Sequence, residues 1–294
     1  MVEPSPNTPA LWGSRVVKPD VDAHKYRRGH CLVISGSEFR TGASRLAAVA
    51  AMNSGAGAVT IAGTKAALRV HAAHLTAIML EPVTGPGQLA TWIAERRPSA
   101  AVIGPAAGVG HATLGLLGVL QAAAVPVVID ADALTSLGAQ PGLLAGRIQP
   151  ASPVVLTPHA GEFARLFRDL DQDTGFRSLS DAGRLSKIEQ TRAAARIVRG
   201  VVVYKGRETV IADEEGRAAV NTNAGPELAV AGSGDVLAGI IGSHLAMGMP
   251  PFEAAASAVW LHATIGADIG LALTADRLAA RIEPIFARKD IQRG

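Results

Sequence analysis

The run CLVISGSEFRTGASRLAAVAAMNSGAGAVTIA, residues 31–62, decides the fold class. Its two ends, CLVIS (31–35) and AVTIA (58–62), are short β-rich runs that are apolar on both faces, as strands inside a mostly parallel sheet are. Between them GASRLAAVAAMNSG (42–55) sets Leu46, Val49, Ala50 and Met52 among alanines and stops at Gly55, the pattern of a helix closed by glycine. Together the three pieces form a βαβ unit. Similar β-rich runs recur at AAVIG (100–104), PVVID (126–130), PVVLT (153–157), VVVYK (201–205) and ETVIA (208–212), and helices are expected over 234–247, 251–270 and near 275–286. The expected class is α/β, with a central mostly parallel sheet flanked by helices.

Bulk properties exclude several functions. The chain has 294 residues, 48% hydrophobic and 18% charged, with 28 Lys and Arg against 25 Asp and Glu, a net charge of +3. That excess is too small for a nucleic-acid surface, and the one basic cluster, His24-Lys25-Tyr26-Arg27-Arg28, reads as a solvated stretch before a strand. The single cysteine, Cys31, has no disulfide partner and suits a buried strand. No uninterrupted apolar run approaches the ~18 residues of a membrane span, and the amino terminus lacks a signal-peptide pattern, so a cytoplasmic protein is expected. Residues 1–20, proline-rich and irregular, read as a leader or linker, residues 21–294 as one domain, and residues 168–186, with DLDQDTG, as an exposed loop.

Chemistry concentrates in GSGDVLAGIIG (232–242). Val236, Leu237, Ile240, Ile241 and Leu245 follow Asp235 at helical spacing, which puts the acid in a first helical turn. Free N–H groups and the positive end of the helix dipole favour an anion there, and glycines let a phosphate approach closely. A carboxylate that only complements the dipole is the competing reading. Lys205-Gly206-Arg207 joins two strands in VVVYKGRETVIAD, a hairpin that could close over a nucleotide or be no more than a hairpin. His159 and Glu162 in LTPHAGEFARL open a helix, where a capping pair is the plainer role. Asp130 and Asp132 in VIDADAL follow a buried strand, where α/β proteins place ligand groups. The junctions at 36–43, 104–110, 130–132 and 157–162 are all expected at one end of the sheet.

With GHCLVISGSEFRTGASRLAAVAAMNSGAGAVTIA, VIDADAL, LTPHAGE, VYKGRETVI and NTNAGPELAVAGSGDVLAGIIG occurring in this order, the chain resembles the NAD(P)H-hydrate dehydratases of the ribokinase-like superfamily over residues 24–270. The leader NTPALW (7–12) is also similar to the segment that in many relatives joins an epimerase domain to this one, and no epimerase is expected in this chain.

The resemblance implies a nucleotide-driven dehydration of NADH or NADPH hydrated at C6, with ADP or ATP as phosphoryl donor and Mg2+ as metal. It implies Asp235 as the base toward the substrate hydroxyl, and Gly232, Ser233 and Gly234 as an anion hole for the phosphoryl group. It implies Lys205, Gly206, Arg207, Glu208 and Thr209, with Gly234 and Asn223, as nucleotide contacts, although turn chemistry alone explains Asn223. Ala43 and His159 match positions lining the hydrated dinucleotide, and Glu162 an acid that orders Mg2+ through water. Relatives carry GPGLG after the third strand where this chain reads GPAAGVG (104–110), with Ala106 in place of a glycine; Gly108 is the expected substrate contact. Relatives often form tetramers, and the alanine-rich helix at 251–270 is compatible with a homo-oligomer. A small-molecule vitamin or sugar kinase of the same superfamily and a non-catalytic nucleotide-sensing module are the alternatives.

Overall fold

The computed structural model describes residues 3–18, 28–138, 152–167 and 185–288. The basic cluster before Arg28 and the expected loop at 168–186, apart from its last two residues, lie outside them. Ten strands form one sheet: β1 (Ser5–Pro6), β2 (His30–Ile34), β3 (Ala58–Gly63), β4 (Met79–Pro82), β5 (Ala100–Ile103), β6 (Val127–Ile129), β7 (Val154–Leu156), β8 (Val201–Tyr204), β9 (Thr209–Ala212) and β10 (Ala218–Asn221). Their order is β1-β10-β9-β8-β7-β6-β5-β2-β3-β4. Every pairing is parallel except β8 with β9 and β9 with β10.

The seven runs picked out in the sequence are all strands here. The three unanticipated ones are short and lie toward the sheet margins: β4, for instance, is MLEP, with Met79 37% exposed, and so lacks the buried apolar run that marks a central strand.

Alternate residues of each central strand feed two cores. On one face Cys31 and Val33 pack with the helices Gly42–Asn53, Ser233–Ala246 and Pro251–Ile269. On the other Leu32 and Ile34 pack with the helices Pro86–Arg96, His111–Ala122, Ala131–Gly138, Ala160–Leu166 and Lys187–Val198. Side chains such as Leu32, Ile61, Ile103 and Leu156 are fully buried, each worth roughly 1.5–3 kcal/mol of apolar transfer.

Glycines set the spacing of the first layer. A Cβ at Gly239 would lie 2.1 Å from the Ala47 carbonyl oxygen, and one at Gly242 would lie 2.5 Å from Val102 Cγ2 and 3.2 Å from Cys31 Sγ. Helix Ser233–Ala246 therefore seats its backbone against helix Gly42–Asn53 and against β2 and β5. Burial pushes the Cys31 thiol up to about 12, so it stays a neutral packing group.

Two expectations change. The stretch read as an irregular leader, in its described part 3–18, adds β1 beside β10 and places Trp12 at 0% exposure. Asn7 ties it down, donating to Asn221 Oδ1 (3.0 Å) and the Ala256 carbonyl (2.8 Å) and accepting from Trp12 Nε1 (3.2 Å). Proline-rich local sequence hid a segment ordered by one buried tryptophan. Likewise, Ala254, Ala255, Ala256, Ala258 and Ala263 are buried within this chain, so the 251–270 helix does not offer the alanine surface expected for an oligomer. The helical stretch Pro251–Ala272 has the length and composition to cross a bilayer, which the reading of apolar runs missed, but 61% of its apolar window is buried inside the protein, as in a core helix.

Candidate active site

From β2 the chain runs one way to β3 and β4, then returns to β5 on the other side of β2. Such a reversal opens a crevice outside the carboxyl ends of the strands. Because β2, β5, β6, β7 and β8 are mutually parallel, the junctions at 36–43, 104–110, 130–132, 157–162 and 205 all lie at that edge. The β2 and β5 junctions touch: a Cβ at Gly36 would fall 2.0 Å from the Ala106 carbonyl oxygen. Ala106 itself holds φ 55°, a left-handed backbone that glycine adopts without cost. The substitution thus keeps the turn at the expense of strain. Asp132 and Ser136 pin this loop, accepting from the Gly108 and Gly110 N–H groups, each at 2.9 Å. The Gly108 N–H is therefore already engaged, and its carbonyl accepts from the Thr113 hydroxyl at 2.5 Å, so what it presents to a substrate is chiefly the bare Cα.

The helix carrying Asp235 starts at Gly232, whose φ of 88° turns the chain into it. A Cβ there would strike Leu46 Cδ1 at 2.7 Å and Ala275 Cβ at 2.9 Å. This contact brings Ala43, half-buried one turn before Leu46, to the same corner. Ser233 is buried, and its carbonyl and hydroxyl lie 2.9 Å and 3.1 Å from His262 Nε2. Burial lowers His262 to about 4, so the ring is neutral and Nε2–H donates to the carbonyl. A histidine inside an apolar helix carries no local signal of this role, and sequence reasoning missed it.

Across the crevice the Lys205 ammonium is 2.9 Å from Asp130 Oδ1, which also accepts from Thr157 Oγ1 at 2.7 Å. Asp130 is 2% exposed. A Cβ at Gly234 would sit 3.4 Å from Lys205 Nζ and 4.0 Å from Asp130 Oδ2. Burial raises the Asp235 carboxyl to about 7, reinforced by the charge of Asp130, opposed by Lys205, and raised further by Asp132. Desolvation works against the Lys205 charge, yet Asp130, Glu162 and Asp235 together hold its pKa above the ordinary value. The arrangement joins a carboxylate poised near neutrality, a cation and the N–H groups of a helix start. Those are the parts needed to deprotonate a hydroxyl beside a phosphoryl group.

Other expected residues have structural partners. His159 and Glu162 form a reciprocal capping box: His159 Nδ1 accepts from the Gly161 and Glu162 N–H groups (3.0 and 3.3 Å), and Glu162 Oε2 accepts from His159 N–H (2.9 Å). The His159 ring is still 56% exposed, while Glu162 is buried within reach of the Lys205 charge. At the hairpin, Thr209 Oγ1 donates to the Gly206 carbonyl (3.1 Å), and Arg207 and Glu208 are exposed. Lys187, unremarked in the sequence, donates to the Glu208 and Lys205 carbonyls and lies 4.4 Å from the Tyr204 ring centroid. A Cβ at Gly206 would come 2.8 Å from its ammonium. Asn223 accepts from Asn221 (2.7 Å) and donates to Thr264 (3.1 Å), which is turn and loop support. No group of three or more metal-ligating side chains occurs among the described residues. Magnesium keeps several waters and leans on substrate phosphates, so a buried carboxylate such as Glu162 at this edge fits a water-mediated role.

Comparison with known proteins identifies the family. The model of the NAD(P)H-hydrate dehydratase family matches residues 31–287. A bifunctional NAD(P)H-hydrate repair enzyme of Moorella thermoacetica is 36% identical over 268 residues, 88% of this chain and 48% of that protein. The chain thus spans about half the length of the bifunctional relatives it matches. An ADP-dependent (S)-NAD(P)H-hydrate dehydratase of Neisseria meningitidis serogroup B is 36% identical over 277 residues, 90% of this chain and 85% of that protein. The crystal structure of an ADP/ATP-dependent NAD(P)H-hydrate dehydratase from Bacillus subtilis, co-crystallised with ATP and Mg2+, superposes with TM-score 0.78 at 27% identity, covering 95% of this chain and 96% of that one. The fold is ribokinase-like. With its family motifs gathered around one crevice, the chain belongs to the NAD(P)H-hydrate dehydratase family.

Proposed function

We propose that the protein restores NADH and NADPH from their (6S)-hydrates in a nucleotide-dependent dehydration. The observation that carries this reading is Asp235, held near neutrality in the first turn of a helix that opens onto Lys205 and the Gly232–Gly234 turn. A base with pKa about 7 is half-ionised at neutral pH and suits proton removal from a hydroxyl.

In the proposed reaction Asp235 takes the proton of the 6-hydroxyl as its oxygen attacks the terminal phosphorus of ADP or ATP. The bond from that phosphorus to the leaving nucleotide breaks, and its electron pair leaves with AMP or ADP. Hydroxide is a poor leaving group and phosphate a good one. The ring nitrogen lone pair then expels phosphate from C6, and loss of a proton from C5 restores the dihydropyridine. At the Gly232, Ser233 and Gly234 segment the glycine N–H groups face the transferring phosphoryl group, while the Ser233 N–H, which donates to the Val230 carbonyl at 3.3 Å, would have to be shared with it. Lys205 to Thr209, with Gly234 and Asn223, receive the nucleotide; Ala43, Gly108 and His159 line the dinucleotide. Glu162 would order Mg2+ through water, and the ion would neutralise phosphate charge. Assembly into a homo-oligomer is proposed on the family resemblance alone, and a cytoplasmic location on the amino-terminal and apolar-run reading of the sequence.

The test is to incubate mixed (6R) and (6S) hydrates with the protein, Mg2+ and ADP or ATP, following dihydronicotinamide absorbance. Recovery should require nucleotide and consume the S epimer, leaving R to slow spontaneous epimerisation. Absence of recovery with either nucleotide, or equally fast loss of both epimers, refutes the proposal. Nucleotide turnover without recovery of absorbance would indicate a kinase.

A further inference from the structure

Asp130 has no role in the reaction proposed above, yet it is the most buried charge at the site, at 2% exposure. An ion pair buried this deeply carries a desolvation cost that well-packed apolar side chains would avoid. Its surroundings are built to hold one geometry. Thr157 Oγ1 donates to the same Asp130 Oδ1 that meets Lys205, and the Lys205 N–H donates to the Pro158 carbonyl at 2.9 Å, fixing the lysine at backbone and tip. An ammonium has three donors. Asp130 takes one, and the head lies against Gly234, within 3.4 Å of where a Cβ would stand, on the side of the helix start that also carries Asp235.

We propose that Asp130 is a positioning residue: it holds the Lys205 ammonium over Gly234, so that Lys205 meets the terminal phosphoryl group during transfer rather than serving the hairpin's general grip on the nucleotide. The inference rests on the dehydratase reading for its phosphoryl step, and on the ion pair and its neighbours for its geometry. The exposed part of the hairpin, Gly206 to Glu208, is left to the remainder of the nucleotide. Asp130 also acts on the base through charge: Asp130, Lys205 and Asp132 are the groups that bear on Asp235, and Asp130 is the strongest of the three.

The test is Asp130→Asn, which preserves shape and can still accept from Lys205 and Thr157. Calorimetry with AMP and ADP separates the parts of the nucleotide. AMP affinity should stay within about 2-fold of the parent, while ADP loses its advantage over AMP and kcat falls about 10²-fold, the effect of a misplaced transition-state contact. The acid limb of the pH profile should move to lower pH, because a negative charge facing Asp235 is gone. A purely structural role would lower Tm and leave the ADP-to-AMP ratio and the pH limb unchanged. Thr157→Val, which removes only the hydroxyl bracing Asp130, should give a smaller change in the same direction and serves if Asp130→Asn does not fold. Parental kcat and parental ADP-to-AMP ratio in a folded variant overturn the proposal. If the parent protein fails to dehydrate the hydrate, the dehydratase reading falls, whereas loss of ADP-over-AMP discrimination in the variants still upholds the positioning role.

Discussion

Replacing Asp235 by Asn should cut turnover by orders of magnitude while making the protein more stable at alkaline pH, a combination that separates a catalytic acid from a structural one. The carboxyl is raised from 3.8 to about 7, first by burial and then by Asp130. Its folded pKa lies above its unfolded one, so between pH 4 and 7 the folded state binds the extra proton and stability falls as pH rises. Above pH 7 the full penalty applies. About three pKa units correspond to an upper limit of roughly 4 kcal/mol, and partial solvent access together with the lost helix-dipole interaction of about 0.3–1 kcal/mol reduces it. Asp235→Asn should therefore gain about 1–3 kcal/mol at pH 8 and little at pH 4, read from urea unfolding at both values. Asparagine cannot accept the hydroxyl proton, so kcat should drop by about 10²- to 10⁴-fold. In the parent, ionisation of the base should make the rate rise about 10-fold from pH 6 to pH 8. A variant within a few-fold of the parent rate, or one whose stability gain is the same at pH 4 and pH 8, would refute the reasoning.

Gly239→Val should destabilise the fold by about 3 kcal/mol or more, since even its Cβ meets the Ala47 carbonyl at 2.1 Å and neither helix backbone can yield; thermal unfolding measures it. Trp12→Ala should cost about 3–5 kcal/mol as a fully buried indole is lost, and a change under 1 kcal/mol in urea unfolding would mean that residues 5–12 do not belong to the folded unit. Ala106→Gly relieves a left-handed alanine at φ 55° and should raise stability by about 0.5–1 kcal/mol, offset in part by the unfolded-state freedom of glycine; a lower Tm would contradict the strain.

The central strands and the motif order were legible because they depend on local composition. Val33, Val102, Val128 and Val155 sit in runs that are apolar on both faces, and only a sheet covered by helices on both sides accommodates such runs. Asp235 was legible for a similar reason, since a helix start announces itself in the next two turns of sequence. The margins were not: β4 carries no buried side chain to mark it, β10 is buried but its short AAVN run has little β-forming character, and β1 is tied to β10 and anchored by Asn7 and Trp12, which reach residues more than 200 positions away. Nor did the sequence reveal what glycines 239 and 242 are for: both suit an apolar helix, and only packing against Ala47 and Val102 shows that a side chain would not fit. The same division runs through the site. Sequence nominated Asp235, Lys205 and Asp130 as separate candidates in separate motifs, whereas the pairing of Asp130 with Lys205, and the parts of Thr157 and His262, come from distances. A carboxylate's pKa, a lysine's direction and a buried histidine's tautomer are set by neighbours brought close through the parallel sheet, and so belong to the tertiary structure alone.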